Sequence, residues 1–257
     1  MFYDNKIIDH LLLIIESSNW YQNNDNHNNL KGIFIRRINV LPQIQLAESG
    51  VFVGSEDNLI ALRQGDVDGA CGPYSLLMAL ITQEVLSREE VTDLSQQDGR
   101  TRLGKFWNNL IVFNTMVREG TFNHDLSWLV ETFKNHPNSK VTAKDLESSS
   151  TRNKASEIAE SIDNGDPVIV GLDWQGGGAH WALAIGYETF NDQVTKIMLI
   201  DPGFPAPNIT YWNAVLSVAK DDGELQVAGK LSCLHWAQGA SIPKKCKLSE
   251  CLQITVN

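Results

Sequence analysis

The chain has 257 residues, 42% of them hydrophobic, and a net charge of −10 from 21 basic and 31 acidic side chains. That length can bury one large core, and the composition is that of a globular protein rather than a disordered or fibrous one. The negative field disfavours nucleic acid or an anionic membrane as the main partner.

Four cysteines are too few for a disulfide framework. They fit a cytoplasmic, reducing setting, or export by a route that needs no signal peptide. The first apolar run, at 11–15, follows Asp4 and Asp9 and has neither a basic lead nor a small-residue cleavage site. It is also too short to span a bilayer.

In chain order, residues 7–20 predict a helix, followed by a polar loop at 21–29 and a strand at 32–40 stopped by Pro42. Short extended pieces are expected at 44–46, 51–53 and 59–62. Residues 1–55 are read as an N-terminal helix-and-strand extension, either prodomain-like or integral, and as a candidate docking element for a partner protein. Residues 56–257 are read as the catalytic domain.

A helix should begin at Gly72-Pro73, since proline suits the first helical turn, and run to about Leu86. Ser87 and Glu90 form a capping box for a second helix. Further helices are predicted at 104–118, stopped by Gly120, and at 125–135 and 150–163. After Gly165 the pattern changes to dense strands at 167–174, 180–187 and 195–201, with more extended character at 225–234 and 252–256. The expected fold class is α+β, with helices around Cys71 in the first half and an antiparallel sheet in the second.

Cys71 stands at the start of its helix between Ala70 and Gly72. A helix N-terminus and a nearby imidazolium both favour the thiolate, which is the reactive form. The Cys71 N–H then points to where a tetrahedral oxyanion would develop, and Gln64 is the candidate second donor. His180 is the candidate base, because it opens a strand behind Gly176-Gly177-Gly178. If strands 180–187 and 195–201 form a hairpin, the start of one lies beside the end of the other. That geometry selects Asp201, rather than Asp173 or Asp192, to orient the imidazole.

Gln64 with Cys71-Gly72 opening a helix, Ala179-His180-Trp181 on one strand and Ile200-Asp201-Pro202 on the next resembles the papain-like cysteine peptidases. The nearest likeness is to the bacterial branch that includes the bacteriocin-leader-processing peptidases. It covers roughly residues 60–205. Gln64 stands one residue further upstream than the usual papain-type spacing, and Gly72-Pro73-Tyr74 replaces the tryptophan that commonly follows the nucleophile.

The resemblance implies a papain-like fold in which a helical part carrying the nucleophile packs on an antiparallel β-sheet carrying His and Asp. It also implies Cys71 as nucleophile, His180 as general base and acid, Asp201 as orienter and Gln64 as oxyanion donor. The expected activity is hydrolysis of a peptide or isopeptide bond through a thioester, with self-processing as a variant. A protein or peptide is the expected substrate. One alternative is a deamidase or transamidase acting on protein glutamine as a bacterial toxin or effector. Another is a silent binding module of the same shape. Cys233, His235, Cys246 and Cys251 are permitted zinc ligands at an uncommon spacing, so neither a metal nor a cofactor is expected.

Overall fold

A computed structural model describes residues 35–65, 69–93, 98–112, 120–135, 140–227 and 229–257. The helix expected at 7–20, the loop after it, residues 66–68, and the stretch 113–118 of a later expected helix lie outside this set.

Strand β1 (Arg36–Val40) precedes a three-stranded antiparallel meander of β2 (Ile44–Ala47), β3 (Gly50–Val53) and β4 (Ser55–Leu59). Helix α1 (Cys71–Thr82) follows, and every residue in it except Tyr74 is buried. A helix that is apolar on all sides needs neighbours on all sides. The short helix α2 (Arg88–Thr92) starts on the expected capping box, with Ser87 accepting from the Glu90 amide. Next come α3 (Arg102–Val112), α4 (Asn123–Val130), β5 (Val141–Asp145) and α5 (Thr151–Asp163). Helix α1 packs against β3 and α4, and also against the strands that follow.

Those strands are β6 (Val168–Trp174), β7 (Ala179–Phe190), β8 (Gln193–Ile200), β9 (Ala214–Ser217), β10 (Cys233–Ala237) and β11 (Lys244–Val256). All their pairings are antiparallel, and they close into a ring in the order β7-β6-β11-β10-β9-β8 and back to β7. The length of β7 makes this closure possible. One of its edges pairs β6 over 179–184 and β1 over 186–190, while the other pairs β8. Strand β11 is used the same way, with β6 on one edge and β10 and then β5 on the other.

Among the described residues, the main sheet is therefore a closed six-stranded antiparallel β-barrel with two further strands, β1 and β5, accompanied by the β2–β4 meander and only a few helices. This corrects the expected α+β, papain-like layout of a helical part packed on a sheet. The pieces that close the ring are short. Strand β9 has four residues and no alternation, and β10 begins near the end of the stretch expected to be extended. Leu225, at the start of that stretch, forms only an isolated bridge with Ala219. Among the described residues, no helix is long and apolar enough to cross a membrane.

The registers bring six strand ends to one mouth of the barrel. Asp173 pairs Ala179, Leu199 pairs Ala214, Ala214 lies opposite Ala237, His235 pairs Lys244, and Cys246 pairs Trp174. Deeper in the wall, Leu183 is fully buried between Ile169 and Ile200. Truncating Leu183 to Ala should destabilise the protein by about 3.5 kcal/mol, the middle of the range for a buried leucine. The shift of the urea unfolding midpoint measures it.

Candidate active site

The mouth of the barrel holds the polar groups. The end of β8 delivers Asp201, which is 1% exposed, and the start of β7 delivers His180 beside it. His180 Nε2 and Asp201 Oδ1 are 2.6 Å apart. The same Oδ1 accepts from the Gly203 amide at 2.8 Å, so the turn after β8 folds back onto the carboxylate.

Asn213 clamps this turn from the strand side. Its Oδ1 accepts from the Asp201 amide at 2.7 Å, and its Nδ2 donates to the carbonyls of Asp201 and Pro205, both at 2.9 Å. The second carboxylate oxygen, Oδ2, faces His235 Nε2 of β10 at 3.0 Å. Trp174 at the end of β6 stacks on the His180 ring, with centroids 6.0 Å apart and planes at 24°.

Cys71 is the first residue of α1 and is 7% exposed. Its Sγ lies 4.0 Å from the Gly69 carbonyl oxygen, and the thiol is near enough to the His180 ring to act on it electrostatically. Nε2 is committed to Asp201, which leaves Nδ1 for the thiol. Small residues bring the helix this close. A Cβ on Gly72 would lie 1.9 Å from the Thr121 hydroxyl oxygen, so only glycine fits there. The carbonyl of Thr121 in turn accepts from Trp181 Nε1 at 2.8 Å. That bond ties the segment beside Cys71 to the strand that carries His180.

Gln64 is held at the same mouth through its backbone, whose N–H donates to the Pro202 carbonyl at 2.9 Å. Its Oε1 is buried without a hydrogen-bond partner. The four residues singled out from sequence thus fall in one neighbourhood: Cys71, His180 and Asp201 interact in series, and Gln64 is tied to the residue after Asp201. The turn before His180 is open, since Gly176, Gly177 and Gly178 all adopt positive φ and a Cβ on the first two would meet nothing within 4 Å.

Burial by itself pulls the His180 imidazole down, but the hydrogen bonds and charges of Asp201 and Cys71 outweigh this and raise it to about 10. Burial pushes the Asp201 carboxyl up. The hydrogen bonds and charges of His180 and His235 outweigh that in turn and hold it well below the usual carboxylate range. In the barrel wall, burial raises the Cys233 thiol and pushes Cys246 and Cys251 up to about 12.

Sequence reasoning missed Asn213, Thr121 and the part His235 plays here. Nothing local marks Asn213 or Thr121, whose partners lie on other elements. His235 was visible only as a candidate zinc ligand. Here it turns to Asp201, while Cys233 and Cys246 face each other across β10 and β11. Among the described residues, no group of three or more His, Cys, Asp or Glu side chains is placed to hold a metal ion. No protein-family model matches the chain, and no curated protein sequence matches it.

The shifted groups make stability depend on pH. His180 titrates higher in the folded chain, so its contribution is whole below the ordinary histidine value of 6.5 and is lost as pH rises through about 10. Asp201 titrates lower, so its contribution is whole above the ordinary carboxylate value of 3.8 and fades only as pH falls below it. In urea denaturation across this range, wild-type stability should decline from about pH 6.5 to 10 more steeply than that of His180→Ala. Parallel curves for the two proteins would contradict the assignment.

Proposed function

We propose that the protein is a cysteine hydrolase that cleaves an amide bond of a protein or peptide. The observation that carries the reading is the His180 imidazole bonded to a buried carboxylate, with the thiol that opens α1 near enough to act on the ring. The likeness to papain-like peptidases is carried forward for the chemistry alone, because the barrel is a different fold.

In this mechanism the Cys71 sulfur attacks the substrate carbonyl carbon, with His180 holding the thiol proton. The new oxyanion is met by the Cys71 N–H, which α1 leaves unused as a first-turn donor, and by the Gln64 side-chain amide. His180 passes its proton to the departing amine, the C–N bond breaks, and a thioester remains on Cys71. A water molecule then gives its proton to His180 and attacks the thioester, releasing the acid and returning the thiol. Asp201 keeps the imidazole oriented and stabilises its charged form throughout, without taking the proton. The open glycine turn at 176–178 leaves a path for an extended substrate beside His180.

The test is to incubate a proteome with wild-type protein or Cys71→Ala and to score new peptide termini by mass spectrometry. We expect Cys71-dependent new termini and few deamidated glutamines. Glutamine deamidation without new termini would assign the same machinery to amide transfer from side chains. No Cys71-dependent change of either kind would contradict a hydrolase.

A further inference from the structure

Asp201 is bonded on both oxygens by different imidazoles. His180 and the Gly203 amide use Oδ1, and His235 Nε2 stands 3.0 Å from Oδ2. His235 is 2% exposed on β10. Trp174 meets its ring edge-on at 5.3 Å and 73°, and Phe204 lies against it at 6.1 Å. An apolar side chain would fill this aromatic niche as well as an imidazole does. What the imidazole adds is a nitrogen aimed at the second oxygen of a buried carboxylate.

We infer that His235 is a positioning residue, which donates from Nε2 to Asp201 Oδ2 and so keeps the carboxylate anionic with Oδ1 turned to His180. The inference rests on the cysteine-hydrolase reading above. A buried carboxylate with one oxygen unpaired can relieve itself by taking a proton or by rotating toward another donor. Either change removes the partner that orients the His180 ring. A donor on each oxygen fixes the plane of the carboxylate and keeps it charged. His235 itself transfers no proton and touches no reacting atom.

The groups that bear on this titration come from every neighbouring element. Facing Asp201 are His180 on β7 and His235 on β10, with Cys71 on α1 beyond His180. Near His235 on β11 are Lys244, opposite it in register, and Cys246, whose sulfur meets the His235 backbone; Asp173 on β6 acts on Cys246. Lys244 also places its ammonium 5.4 Å from the centre of the Trp174 ring.

The experiment is the rate of Cys71 alkylation by iodoacetamide from pH 4 to 9, in wild-type protein, His235→Phe and His235→Gln. Phenylalanine keeps the packing and removes the donor, so the acid limb should move up by about one to two pH units. Glutamine restores an N–H donor and should bring the limb back to within about half a unit of wild type. An acid limb in His235→Phe that superposes on wild type overturns the inference and leaves the hydrolase reading standing. A Cys71 rate that is low and unaffected by His180→Ala overturns the hydrolase reading itself.

Should His235→Phe not fold, histidine ¹⁵N spectra of the wild-type protein decide. His235 should carry its proton on Nε2 from pH 5 to 9. An unprotonated Nε2 over that range contradicts the inference.

Discussion

The hydrogen bond between His180 and the buried carboxylate of Asp201 is where the fold becomes chemistry. It exists because β7 is paired on both edges, so that His180, the second residue of β7, comes beside Asp201, the residue that follows β8. Barrel closure then sets β10 on the far side of the same mouth, within reach of the other carboxylate oxygen. His180 and His235 are placed by strand register, and Asp201 by the clamped turn directly after β8. Sites built on strands hold their geometry better than sites built on loops.

A fully buried carboxylate is the most demanding group in this arrangement. Left alone it would cost several kcal/mol or take up a proton. Here it has two imidazoles and a backbone amide on its oxygens, and Asn213 fixes the backbone on either side. Compensation of that kind is also what keeps the His180 ring charged and aimed. The start of α1, with Cys71, is then held beside β7 by the close fit of Gly72 against Thr121 and by the bond from Trp181 to Thr121. Stability and orientation at this site are therefore the same set of contacts.

Much of the local organisation was legible in the sequence. Cys71 at the head of an apolar helix, the Ser87–Glu90 capping box, the helix expected at 150–163 and the dense strands expected at 167–174 and 195–201 follow from short-range patterns. The choice of Asp201 needed only one step more, the pairing of two consecutive strands. The barrel was not legible, because its closing strands are Ala214–Ser217 and Cys233–Ala237, too short to carry a period. The likeness to papain-like peptidases drew the expectation toward a sheet packed with helices. Adjacent-strand geometry at His180 and Asp201 is the same whether or not the sheet closes, so the motif could not tell the two folds apart. The place of His235 beside Asp201 escaped notice because its partner is set by the ring order, through β9, and not by any neighbour in sequence.

Three of the four thiols sit in the barrel wall, where burial raises them, and the fourth meets an imidazole at a helix end. The central claim is directly measurable by the iodoacetamide labelling rate of each cysteine at pH 7 in the folded protein. Cys71 should react at least about tenfold faster than Cys233, Cys246 and Cys251, and should lose most of that advantage in His180→Ala. Equal labelling of all four cysteines, or a Cys71 rate indifferent to His180, would contradict the account.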